Sequence, residues 1–292
     1  MSVVRVYQAT NVVIPITTLY GDGNPHEVIL RLIDGWLDTT ESVVKLAERA
    51  ASNGAHDVPE SDLLYGPRTI AIDYRLLADS RSRLLQLHSR FRILAGKQLL
   101  IRVTDDDSDL FAQGYLHELA VDKAAQNLAQ QTETGTLTFV CPRPELLSWT
   151  LHRVQLFGAR VKPGGLSFGD DHKGLVFPLQ FTEHGDDGGA DSITNDGSFE
   201  AYPLISVTGN FSSGILIQHD QGALEWSGNI GGSPLILDCS PRAHTATMGG
   251  VDVSRNLKRR DFPIIPAAGS ISLRVMSAGS GWVTVESRDT YM

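Results

Sequence analysis

Glycine is spread unevenly along this chain, and the asymmetry limits what each half can fold into. Of 28 glycines, 8 lie in residues 1–147 and 20 in residues 148–292. In the second half, short apolar segments alternate with clusters of Gly, Asn, Asp and Ser, and no stretch keeps a helical period for a useful length. Residues 154–156, 175–181, 204–207, 214–218, 223–226, 234–237, 270–275 and 282–287 read as strands. Short strands at this spacing, joined by glycine turns and bulges, predict an antiparallel β-sandwich or jelly roll. Residues 183–198 (EHGDDGGADSITNDGS) read as a surface loop.

The first half has a different pattern. Residues 1–28 read as turn-rich, punctuated by Gly21-Asp22-Gly23-Asn24-Pro25. Residues 28–37, 69–77, 99–103, 111–119 and 136–141 read as strands, with the acidic cluster 105–109 as a hairpin turn. Residues 43–51 fit a short helix or an irregular segment. One helix is well marked. Asp79 or Ser80 can cap its start, Gly96 can stop it, and Leu84, Leu87, Phe91 and Leu94 share one face. Pro142-Arg143-Pro144 breaks the pattern and places a boundary between residues 1–147 and 148–292. The fold class is mainly β, with one helix in the first domain.

Composition removes several functions. There are 25 Lys+Arg against 34 Asp+Glu, a net charge of −9, which disfavours a nucleic-acid binder that needs surplus cations for phosphate. No apolar run approaches the roughly 18 residues of a bilayer span, and the first residues lack a signal-peptide core, so a soluble cytoplasmic product is expected. Two cysteines cannot build a disulfide framework, and neither Cys141 nor Cys239 has a cationic neighbour in sequence to activate it.

Catalytic and metal constellations fail in turn. Asp105, Asp107 and Asp109 imitate the start of a calcium loop, but Leu110 and Leu116 occupy the positions that need Gly and Glu. The acidic stretch with Glu183, Asp186, Asp187 and Asp191 reads as a solvated loop. Nine scattered histidines form no ligand pair, so no metal and no cofactor is expected. Ser213 and Ser280 lack the flanking glycines of a nucleophile elbow, and no phosphate-binding glycine loop opens a helix. Glu200, Glu225 and Asp238 are the carboxylates a glycosidase would use, though spacing does not pair them. Trp226 and Trp282 could stack on a sugar ring, which keeps a carbohydrate-binding adhesin as the alternative function; core packing is the commoner use of such residues. The chain concentrates positive charge at Arg81, Arg83, Arg90 and Arg92 on the helix, and at Lys258-Arg259-Arg260, which reads as a loop. The helical arginines are candidates for contacts with an acidic neighbouring subunit.

The order of segments resembles the siphophage distal tail protein (Dit) family, a class of phage minor tail proteins. The resemblance rests on GWLDTTESVVKLAERAASNGAHDVPESDLLYGPRTIAIDYRL, one helix, LLIRV and TLTFVCPRPELLS in the first half. In the second it rests on GLVFPLQF, NDGSFEAYPLISVTGN, LILDCSPR, RDFPIIPAAGSISLRV and the terminal GWVTVESRDTYM. It implies a split β-barrel with one helix that builds a ring, then a galectin-like β-sandwich. It also implies a non-enzymatic virion protein at the distal end of the tail, assembled in the host cytoplasm. The implied partners are itself as a ring, usually hexameric, the major tail tube protein, the tail-tip hub, and in some cases receptor-binding and tape measure proteins. No membrane and no specific nucleic acid are implied. Galectin-like describes the fold alone, because no galectin-type set of sugar-binding residues is found. In that frame Leu84, Leu87, Phe91 and Leu94 are expected to pack the ring-building domain, and Arg81, Arg83, Arg90 and Arg92 to meet a neighbour.

Overall fold

The structure is a computed structural model that describes residues 2–59, 62–122, 131–158 and 190–292. Its contacts divide it into two compact units: Met1–Trp149 with Tyr291–Met292, and Thr150–Thr290. The first unit thus runs two residues past the boundary read from sequence, and the last two residues of the chain return to it.

The first unit is a closed barrel. Its strands are β1 (Ser2–Gln8), β2 (Thr17–Gly21), β3 (Val28–Asp34), β4 (Arg68–Leu77), β5 (Leu99–Asp105), β6 (Ser108–Val121) and β7 (Thr132–Cys141). Around the ring the order is β6-β5-β1-β2-β3-β4-β7, and β7 pairs back onto β6 to close it. Alternation does the sorting. On β4, Arg68, Ile70, Ile72, Tyr74 and Leu76 point inward; on β7, Glu133, Leu137, Phe139 and Cys141 do. The closing seam needs glycine at two points, because strand backbones approach too closely for a side chain. A Cβ on Gly114 would lie 2.4 Å from the Val140 carbonyl oxygen, and one on Gly135 would lie 2.2 Å from that of Ala120. β8 (Leu146–Ser148) and β20 (Thr290–Tyr291) extend the sheet beyond β6.

Residues 1–28 are not the turn-rich segment expected. β1 is paired on both sides, with β2 and β5, and Val4 and Val6 are fully buried. The alternation of Val4, Arg5 and Val6 is brief and blurred by the apolar Val3 and Tyr7, and the Gly21–Pro25 punctuation marks only the connection from β2 to β3. Residues 43–51 form no helix. They belong to an arm that folds back on itself through the bridges Ser42↔Tyr65 and Glu48↔Ala55.

The helix α1 (Arg81–Arg92) starts at Ser80, whose side chain accepts a hydrogen bond from the Arg83 backbone N–H at 3.2 Å. Leu84, Leu87, Phe91 and Leu94 are at most 1% exposed and lie in the barrel's core cluster. The Phe91 ring meets the Tyr74 ring edge-on at 4.6 Å.

The second unit is a sandwich of two antiparallel sheets over one core. One sheet orders β10 (Ala190–Asn195), β18 (Gly269–Val275), β12 (Ile215–His219), β13 (Gly222–Trp226) and β17 (Leu257–Arg260). The other orders β16 (Val251–Asp252), β15 (Thr245–Met248), β14 (Leu235–Asp238), β11 (Leu204–Asn210), β19 (Ser280–Ser287) and β9 (His152–Phe157). Inward residues of both sheets share one cluster, among them Ile217, Leu224, Trp226 and Leu273 from the first and Val207, Leu237, Val283 and Val285 from the second.

Two loop expectations are corrected by this topology. Residues 190–195 are strand β10, and Lys258-Arg259-Arg260 belong to strand β17. Both are edge strands, where exposed charge is normal and blunts pairing with other chains. The expected strand at 175–181 and residues 183–189 of the expected loop lie outside the described residues.

Candidate assembly surfaces

No group of three or more His, Cys, Asp or Glu side chains gathers among the described residues in a way that could hold a metal ion. Asp109, one of the would-be calcium ligands, is taken by Arg102 (Nε to Oδ1 2.6 Å), and that guanidinium also lies 4.1 Å over the Trp149 ring. Glu225 and Asp238 stand on strands of opposite sheets, β13 and β14, so the core separates them. Glu200 accepts a hydrogen bond from the Tyr202 hydroxyl at 3.0 Å. His172, His184, Glu183, Asp186 and Asp187 lie outside the described residues. Burial pushes the Cys141 thiol up to about 12 and raises that of Cys239 further, which suits small apolar packing residues and not nucleophiles. Trp226 is buried and donates its indole N–H to the Val253 carbonyl at 3.1 Å, so it is a core residue; Trp282 is exposed.

What the barrel presents outward is a set of surfaces. On α1 the apolar face is spent on the core. The rest of the helix lines an open groove of about 640 Å3 with Arg81, Leu85, His88, Ser89 and Arg92, facing Leu119, Val121 and Glu133. The groove's base is a buried polar chain. Glu133, itself buried, accepts a hydrogen bond from the Tyr74 hydroxyl at 2.8 Å and sits 2.8 Å from His88 Nδ1. Burial and the adjacent Glu133 charge raise the Tyr74 hydroxyl pKa strongly, so Tyr74 stays a donor to that carboxylate. The four helical arginines are not equivalent. Arg83 forks onto Glu27 of the same chain at 2.7 and 2.6 Å, and each partner shifts the other's pKa toward the charged form. Arg81 lines the groove half-exposed; Arg90 and Arg92 are exposed.

The arm is the second surface. Residues 41–59 and 62–66 lie between β3 and β4, held together by Val43 N–H to Leu64 C=O, Gly66 N–H to Glu41 C=O and His56 N–H to Ala47 C=O, at 2.9 Å each. It exposes Val43, Leu46 and Leu64, and Leu37 at its root is 94% exposed. Sequence reasoning passes over this feature, because an exposed apolar residue in an irregular segment has no periodic signature.

The arm's root is held by Arg68, the last residue of Tyr65-Gly66-Pro67-Arg68. It is 1% exposed. Its Nε donates to the Pro144 carbonyl at 2.7 Å, and its Nη1 to those of Gly35 (2.8 Å), Trp36 (3.2 Å) and Asp38 (2.6 Å). One guanidinium thus pins the chain leaving β3, the start of β4 and the chain leaving β7.

No protein-family model and no curated protein sequence matches the chain. Solved structures do. The Dit (gp 19.1) protein of phage SPP1, described as a paradigm of hub adsorption apparatus in phages infecting Gram-positive bacteria, matches with a TM-score of 0.62 at 11% identity, covering 99% of both chains. Chains of the phage P2 baseplate in its activated conformation match with TM-scores of 0.54 with calcium and 0.55 with strontium, at 12% and 11% identity, covering 98% of both chains. At such identities the likeness is one of fold: from end to end, this chain has the fold of the SPP1 Dit protein.

Proposed function

We propose that this chain is a distal tail protein. It forms a ring at the end of a phage tail, joins the tail tube to the tail-tip hub or baseplate, and offers attachment surfaces to receptor-binding proteins. The role is structural and not enzymatic. The ring is a homo-oligomer, a hexamer by the family resemblance, sited at the distal end of the virion tail after assembly in the host cytoplasm. Its other neighbours are the major tail tube protein, the hub protein and the tape measure protein.

The observation that carries this reading is the fold likeness to SPP1 Dit over 99% of both chains, which takes in both units. Surface chemistry supports it. Arg81 and Arg92 line the groove beside α1 and Arg90 is exposed on the same helix, whereas Arg83 and Arg102 are paired with Glu27 and Asp109 within the chain. Between 38 and 62 it carries six acidic residues and two basic ones. A groove with Arg81 and Arg92 and an acidic, apolar-studded arm on one molecule are complementary, and such head-to-tail contacts generate a ring when the rotation between copies closes.

Electron microscopy and light scattering of the purified full chain test the reading. Closed rings, alone or on addition of the tube and hub proteins, are the expected result. A chain that stays monomeric at high concentration with both partners present refutes it. Charge reversal at Arg90 and Arg92 is expected to slow or abolish ring closure while leaving the monomer's melting curve unchanged.

A further inference from the structure

We propose that the sandwich unit carries a binding site for a neutral saccharide, built on Trp282 and Phe157 at one end of the β9–β19 pair. Trp282 and Phe157 are direct cross-strand partners, and they are 42% and 53% exposed. They wall an open cleft of about 510 Å3, within the range of about 300–1,000 Å3 usual for small-molecule sites. Two large rings side by side and unburied cost solvation unless something covers them.

The cleft's floor is glycine, and the structure shows why. Gly158, Gly279 and Gly281 lie over the fully buried ring of Phe211. A Cβ on Gly279 would stand 2.3 Å from Phe211 Cδ1, and one on Gly281 would stand 2.2 Å from the Thr208 carbonyl oxygen. These Cβ positions point into the core, so packing around Phe211 fixes glycine there, and what these residues offer the cleft between Phe157 and Trp282 is backbone.

The cleft's charge selects the ligand class. Among the described residues its lining is Phe157, Gly158, Gly279, Ser280, Gly281 and Trp282, without a charged side chain. Strand register puts Asn210 opposite Ser280, Thr208 opposite Trp282, and Gln155 opposite Thr284. These are neutral donors and acceptors beside the aromatic pair. The next charges along the pair, Arg153 and Glu286, are spent on each other at 2.7 Å. A phosphate, a carboxylate or an acidic peptide finds no countercharge among the described residues here. A pyranose presents an apolar C–H face to stack on indole and a rim of hydroxyls for neutral amides and hydroxyls, which matches what the cleft offers. The groove beside α1, lined by Arg81, Arg92 and Glu133, has the opposite character.

The site goes beyond the ring reading and stands without it. The test uses the full chain on an array of neutral hexose and N-acetylhexosamine oligosaccharides, then calorimetric titration with the tightest of them. Trp282→Ala is expected to weaken that binding at least about tenfold, and Trp282→Phe by no more than about threefold, with melting curves unchanged. Three results overturn the proposal: no neutral saccharide bound by the wild-type chain at millimolar concentration, equal binding by Trp282→Ala, or preference for charged glycans. A concentration-dependent blue shift of Trp fluorescence without saccharide, absent in Trp282→Ala, also overturns it and assigns the cleft to a second copy of the chain.

Discussion

Removing the guanidinium of Arg68 isolates the device that joins arm to barrel. Arg68→Met keeps the length and apolar stem but deletes donors to four carbonyls, those of Gly35, Trp36, Asp38 and Pro144. Three N–H groups, one on Nε and two on Nη1, serve these four carbonyls; a hydrogen bond to a charged group is worth about 1.5–3 kcal/mol, so the gross loss is on the order of 4.5–9 kcal/mol. Two effects reduce it. The wild type bears the cost of burying a cation, which burial itself registers by lowering the Arg68 pKa against the opposing pull of Cys141, Asp38 and Glu145. The Gly35–Asp38 carbonyls also belong to a surface segment that can turn toward water. Breaking a buried charged contact typically costs about 3–5 kcal/mol, and that is the expected net loss. For a unit of roughly 150 residues, each kcal/mol lowers Tm by about 2–4 °C, which gives a fall of about 6–20 °C. Differential scanning calorimetry reads the shift, and hydrogen exchange places it at residues 35–38 and 144. Arg68→Lys is expected to recover less than half of the loss, because one ammonium cannot reach carbonyls on both sides of the strand. A Tm for Arg68→Met within about 2 °C of wild type would refute the pinning role.

Other perturbations separate the two cores. Leu87→Asp, which sets an unpaired carboxylate at a position 1% exposed, is expected to cost about 5 kcal/mol or more and abolish the barrel's cooperative melt; a native melting curve would show that α1 is not packed on the barrel. Gly279→Ala is expected to destabilise the sandwich by about 1–3 kcal/mol through the clash with Phe211, seen as faster hydrogen exchange in β11 and β19 with the barrel unchanged. His219 is buried with Nε2 2.7 Å from the Asp261 carbonyl oxygen, and burial lowers its pKa below the usual 6.5. The unfolded chain therefore takes up the proton first, so sandwich stability is full above pH 6.5 and falls as pH drops through the lowered value; His219→Gln should flatten that slope in pH-dependent denaturant melts. Cys141 and Cys239, both fully buried with raised pKa values, should react with a disulfide reagent only at the rate of unfolding, and rapid native labelling of either would contradict the packing.

The elements legible in the sequence are those whose burial leaves a period. Leu84, Leu87, Phe91 and Leu94 mark α1 because helix spacing repeats on one face, and Ser80 adds a local capping signal. Central sandwich strands such as β11, β18 and β19 are legible because apolar residues alternate with polar ones. The missed strands lack that period for identifiable reasons. β1 (SVVRVYQ) keeps only a brief alternation about Val4, Arg5 and Val6, blurred by the apolar Val3 and Tyr7. β10 and β17, at the edges of a sheet, carry polar and charged residues that read as loop. Buried polar groups are less legible still. Glu133 looks like a solvated residue in TETGTLTF, and only the arrival of Tyr74 from β4 and His88 from α1, distant in sequence, explains its burial. Arg68 belongs to a segment that carries the family resemblance, yet its four acceptors come from two remote loops that no spacing rule connects to it.

The same logic explains why the candidate assembly surfaces are hard to read. A core residue is constrained by neighbours within its own chain, so its period is printed locally. A residue that serves a neighbouring molecule is constrained by a surface the sequence does not juxtapose with it. Val43, Leu46 and Leu64 violate the rule that irregular exposed segments are polar, and the violation shows only once the arm is seen standing outside the barrel core. Trp282 is similar: its alternation on β19 correctly places it outward, opposite Val283 and Val285, and what singles it out is the unburied Phe157 beside it and the glycine floor below. In the proposed ring, exposed apolar residues such as Val43, Leu46 and Leu64 are the positions a partner would cover, and a partner rather than the fold would then set their type.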